Sequence, residues 1–167
     1  QQLKRTMNDL LNKISSYNLF NNLLPGILFV ILLNHFTDFE IKQENLLLAA
    51  FLYYFIGMTI SRVSSVFIEP ILKKMKFVKF REYKLFVDAC KKDSKLDILV
   101  ETNNKFRVLF TVLILVICAK IFYSINLNCF KLSVNLQQYL LLISLAVIYL
   151  FAYRKQTNYV TKRIDAN

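Results

Sequence analysis

Four apolar runs, each near the length of a bilayer crossing, constrain this chain more than any other feature. They are Leu19 to Phe36, Leu46 to Val63, Phe106 to Ile125 and Tyr139 to Tyr153. A helix that crosses the hydrocarbon core of a bilayer needs about 20 residues, with a range of about 17 to 25. The fourth run and the charge-free part of the second are short on that scale, so flanking Tyr and Asn must fill the interfaces. The competing reading is a soluble bundle with buried helices. Against it stand 56% hydrophobic residues in a chain of 167 with only two glycines. A soluble domain is about 45–50% apolar even when Gly is counted. Disorder is excluded on the same ground. Two Gly and two Pro also leave no material for a Gly-rich phosphate loop or a turn-rich barrel.

Charge orients the spans. The formal net charge is +11, from 22 Lys plus Arg against 11 Asp plus Glu. Lys4, Arg5 and Lys13 precede the first run, and twelve of the basic residues fall between Arg62 and Arg107. The tail carries Arg154, Lys155, Lys162 and Arg163. The connections around residues 37–45 and 126–138 are nearly neutral or acidic. Basic residues close to span ends stay cytoplasmic, and a four-span arrangement puts every basic block on one side. The expected fold is therefore all-α: a four-helix transmembrane bundle with both termini cytoplasmic. Its parts are residues 1–63 with the first two spans, a basic cytoplasmic helical hairpin over 64–105, and residues 106–167 with the last two spans and the tail.

The hairpin is read from periodicity. Glu69-Pro70 has the character of a helix start, because Pro suits a first turn and an acid complements the N-terminal dipole. Phe80, Tyr83, Phe86 with Val87, and Cys90 then recur at helical spacing between polar residues. Lys91-Lys92-Asp93 breaks this helix. Asp93 or Ser94 caps the next one, which runs into the third span.

Residues suited to catalysis are missing. Cys90, Cys118 and Cys129 are widely separated and His35 is the lone histidine, so no Cys/His metal or nucleophile pattern exists. No carboxylate lies inside any apolar run, and an intramembrane enzyme needs acids, His or Ser/Asp groupings. The expectation is a non-enzyme without cofactor or metal.

Two groups of polar residues carry alternative meanings. The strip Lys73, Lys74, Lys76, Lys79 and Arg81 is either a clamp on anionic headgroups or a surface for an anionic nucleotide or oligonucleotide, with Phe77 and Phe80 available to stack on bases. Asn18, Asn21, Asn22 and Pro25 either line a flexible inner end of the first span or cap an interfacial helix start. Arg62 either snorkels to the headgroups or faces a pore. Small residues Gly57, Thr59, Ser61, Ser64 and Ser65 permit close helix approach and interhelical hydrogen bonds. Glu69 and Arg107 fall near the same membrane face and are expected to pair.

The pattern Tyr17-Asn18-x-Phe20-Asn21-x-Leu23-Leu24-Pro25-Gly26 before the first span resembles small four-span membrane effectors of bacterial anti-phage defence. So does Ser65-x-x-x-Glu69-Pro70 after the second, followed by Tyr83, Asp93, Asn103-Asn104 and Arg107. Such proteins include the channel component of Hailong, the membrane component of Kiwa and CRISPR-accessory membrane proteins. The resemblance implies an inner-membrane protein that forms a homo-oligomeric channel or pore, gated by a cytoplasmic defence partner or a nucleotide signal. Closed rotational symmetry is the usual solution for homo-oligomers, and small channels suggest about four subunits. The alternative is a non-conducting sensor or scaffold that recruits a cytoplasmic defence partner.

Overall fold

The computed structural model describes residues 21–37, 39–93, 95–126 and 132–165. These form five helices, and no strand occurs among the described residues. Helix α1 spans Asn21–Phe36, α2 Leu46–Lys74, α3 Tyr83–Lys92, α4 Lys95–Ile125 and α5 Val134–Asp165. Helices α2, α4 and α5 are each long and apolar enough to cross a membrane. Helix α1 is a shorter apolar helix, and the residues before it lie outside the described residues.

Local chemistry sets the boundaries. Asn45 caps α2, its Oδ1 accepting from the amides of Leu47 and Leu48 at 3.0 and 3.2 Å. This satisfies two of the donors every helix start leaves over. Asp93 accepts from the Lys95 amide at 2.9 Å and so takes the expected cap of α4; Ser94 lies outside the described residues. At the end of α2, Lys76 adopts a left-handed φ of 59°. The Lys76 amide donates to Leu72's neighbour Lys73 and the Phe77 amide to Leu72, both at 3.0 Å, the Schellman pattern that usually employs Gly. Between α1 and α2, Asn34 exchanges two hydrogen bonds with the Ile41 backbone at 3.0 and 3.2 Å, pinning the connection to the helix end.

Glu69-Pro70 does not start a helix, contrary to the sequence reading. Helix α2 runs through it, by way of a π turn at Ser64–Ile68 in which the Glu69 amide donates to the Ser64 carbonyl. The extra residue of such a turn accommodates a proline, which has no N–H to give.

The two glycines of the chain meet each other. Gly26 on α1 and Gly57 on α2 are both buried. A Cβ built on Gly26 would lie 1.8 Å from the Tyr53 carbonyl oxygen, and one on Gly57 would lie 1.7 Å from that of Asn22. These antiparallel helices therefore touch backbone to backbone. Glycine in a helix interior costs about 0.5–1 kcal/mol relative to Ala, and close approach here is what it provides. Beside this contact, Ile60, Val108 and Val112 form a small buried core, joined by Leu28, Phe29, Leu32, Ile56 and Leu115. It ties α1, α2 and α4 together.

Helix α5 is attached differently. None of its residues is buried. It lies parallel to α2 at a fixed register: Thr59 Oγ1 meets Tyr149 Oη at 3.1 Å, and the Ser65 carbonyl accepts from Lys155 Nζ. Both pairs are 90 residues apart in sequence.

Gly26→Ala and Gly57→Ala should each destabilise the protein by about 1–3 kcal/mol, the usual range for overpacking, because only backbone stands in the way. Thermal unfolding in detergent checks this, and unchanged midpoints in both variants would exclude the backbone contact.

Candidate functional site

The main concentration of polar chemistry lies where α2, α4 and α5 converge, just past the π turn. At its centre is Glu69, buried with its side chain only 6% exposed. One turn on, Lys73 of the same helix reaches back to Oε1 at 2.7 Å. Arg107 of α4 pairs with Oε2 through Nη1. Lys155 of α5 approaches Oε2 at 3.4 Å. One carboxylate thus holds three cations from three helices.

Hydrogen bonds fix their directions. Arg107 Nε donates to Ser64 Oγ at 3.1 Å, and Ser64 is fully buried. Thr111, one turn along α4, donates to the Arg107 carbonyl at 2.8 Å. Lys155 donates to the Ser65 carbonyl, so a cation from another helix supplies a donor in the turn where Pro70 has none. Its ammonium also stands 5.6 Å from the Tyr159 ring centroid. Lys73 lies 4.0 Å over the Phe80 ring, within cation–π range. A buried ion cluster of this kind is held by geometry and hydrogen bonding, since desolvation consumes much of the Coulomb attraction.

The expected pairing of Glu69 with Arg107 is present. Lys155 is the member that sequence reasoning missed. Of the expected strip, only Lys73 joins the cluster; Lys74, Lys76, Lys79 and Arg81 are exposed. Asn21 Nδ2 donates to Glu101 Oε1 at 3.4 Å and Asn22 Nδ2 to Tyr54 Oη at 3.5 Å, so both amides face protein. Pro25 is buried beside Gly26, and Arg62 is exposed. Asn18 lies outside the described residues.

Near α3, Val87 is buried and Tyr83 packs tilted against Tyr159 of α5, ring centroids 6.4 Å apart. Burial and a hydrogen bond to Asp97 push the Cys90 thiol up, away from the thiolate that nucleophilic chemistry requires. Among the described residues no group of three His, Cys, Asp or Glu side chains is placed to hold a metal ion.

Taken together, these features define a class: an all-helical protein with three helices long and apolar enough to cross a membrane, clamped at one level by a shared carboxylate. No protein-family model, curated protein or solved structure matches the chain.

Glu69→Gln should destabilise the bundle by about 2–3 kcal/mol, below the 3–5 kcal/mol of a fully buried pair because Lys73 and Lys155 keep partial solvation. Lys73→Gln should cost no more than about 1 kcal/mol, since the Lys73 side chain is 41% exposed and exposed pairs are weak. Unfolding in detergent micelles, followed by circular dichroism, measures both. Equal losses in the two variants would remove Glu69 from its central position.

Proposed function

We propose that the protein is a multipass inner-membrane effector that assembles into a homo-oligomeric channel or pore. On this reading the first apolar run, Leu19 to Phe36, adds a fourth crossing to α2, α4 and α5. Both termini and the basic segment around α3 face the cytoplasm. The observation that carries the proposal is the pairing of a small core with long uncovered apolar helices. Helix α5 buries no residue at all, so lipid and neighbouring subunits supply its packing. A four-helix protomer is too slight to enclose a protected aqueous path alone, and a closed ring of identical subunits provides one.

The charged cluster gives such a channel a handle. Lys155 and Arg107 sit on the two helices that continue into the basic side, and Glu69 links both to α2. A cytoplasmic partner or anionic nucleotide acting on α3 and the neighbouring basic strip would move α4 and α5 together. A role in anti-phage defence rests on the motif resemblance alone.

Reporter fusions provide the topological test. A fusion after Asn167 should report the cytoplasm, and one in the connection near Asn128 the periplasm, as the basic blocks require. A periplasmic signal from the C-terminal fusion overturns the orientation.

Planar-bilayer recording with purified protein should give discrete conductance steps, and mass measurement in lipid discs should give a single closed oligomer of about four subunits. Monomer without conductance, from protein of intact topology, would replace the channel by the scaffold that recruits a cytoplasmic partner.

A further inference from the structure

The ion cluster is electrically unbalanced. Among the described residues, the ion pairs within 4.0 Å that reach Lys73, Arg107 and Lys155 all run to Glu69. Three positive charges against one negative leave a surplus of two in a partly desolvated place. Unmatched charge out of water is costly, so such a surplus calls for an anion from outside.

The surroundings indicate which anion. Phe151 lies one helical turn before Lys155 on the same face of α5, and its ring packs edge-on against Phe67 of α2 at 6.5 Å between centroids. Phe67 is 40% and Phe151 43% exposed. The seam between α2 and α5 thus offers an apolar bed running up to the cations. Tyr159 and Phe80 flank the cations on the other side. Apolar surface beneath and cations at its edge match a lipid with an anionic phosphate headgroup better than a small inorganic anion, which would gain nothing from exposed rings.

We propose that Lys73, Arg107 and Lys155 form a binding site for the phosphate of an anionic phospholipid, whose acyl chains lie along the α2–α5 seam over Phe67 and Phe151. This rests on the reading that α2 and α5 cross a bilayer. It differs from a diffuse attraction of the exposed lysines, because it assigns the headgroup to three particular side chains.

The chain contains no Trp, so Phe151→Trp installs a single fluorescent reporter in the seam. That variant, reconstituted in phosphatidylcholine bilayers, is titrated with brominated phosphatidylglycerol and, separately, with brominated phosphatidylcholine. The expected result is stronger quenching by the glycerol lipid, with a preference of about fivefold for each participating charge. Adding Lys155→Gln and Lys73→Gln should abolish most of this preference, whereas adding Lys79→Gln and Arg81→Gln should preserve it. Arg107, which is tied into the core, is left intact, and quenching by brominated phosphatidylcholine that is unchanged in the Lys155→Gln, Lys73→Gln variant shows that the α2–α5 seam is still formed.

Equal quenching by the two lipids, or loss of preference only in the Lys79/Arg81 variant, overturns the site while leaving the membrane assignment standing. Absence of quenching by either lipid overturns the membrane reading itself. Inorganic phosphate at millimolar concentration should leave the preference unchanged. If it removes the preference, the lipid is not the occupant and the proposal falls.

Discussion

The Glu69 carboxylate is the point on which this arrangement turns. It binds a lysine of its own helix and an arginine and a lysine from two others, and it does so at the level where the apolar stretches of α2, α4 and α5 give way to basic sequence. Removing a single acid would leave three cations facing one another. Coulomb repulsion among them, in a setting drier than water, would act directly on the helix seams. Few substitutions elsewhere would touch three helices at once.

Apolar packing alone does not account for the bundle. The core around Ile60, Val108 and Val112 joins α1, α2 and α4, and the glycine contact brings α1 against α2 without any intervening side chain. Helix α5 shares in neither. Its attachments are a stacked and an edge-on aromatic pair, the Tyr149–Thr59 hydroxyl pair and the reach of Lys155 into α2. Where lipid surrounds a helix, burial of apolar surface against protein supplies little net driving force, and specific polar contacts decide the register.

Much of the helical pattern was legible in the residues. Long apolar runs over α2, α4 and α5, the Asp93 cap and the break before α4 all follow from local composition. The Glu69–Arg107 pair was legible because few acids stand near that level. Two features were not. Lys155 looked like any tail lysine, since nothing local indicates that its neighbour in space is a carbonyl beside Pro70. Gly57 was legible as a residue that permits close helix approach; its partner Gly26 was not, although two glycines in separate apolar runs, where helix propensity disfavours them, are a signal of one shared contact. The helix start expected at Glu69-Pro70 failed because a proline inside a helix can be absorbed by a π turn as well as by a terminus. Local propensity does not distinguish the two.

That π turn fixes the compass bearing of everything beyond it. Successive residues of a regular α-helix advance by about 100°. From Ile60 in the core, an unbroken helix would carry Glu69 through about two and a half turns, to the opposite side of α2. The surplus residue at Ser64–Ile68 takes out roughly one such step, bringing the carboxylate to within about 80° of the core-facing direction. Ile60 and Glu69 are accordingly both buried. The meeting of the three cations therefore depends on the π turn absorbing that residue. Excision of one residue from that turn would leave a regular helix with the acid still about eight steps from Ile60 and still facing Arg107 and Lys155. Winding the same residues as regular α-helix at full length would instead carry Glu69 to the opposite side.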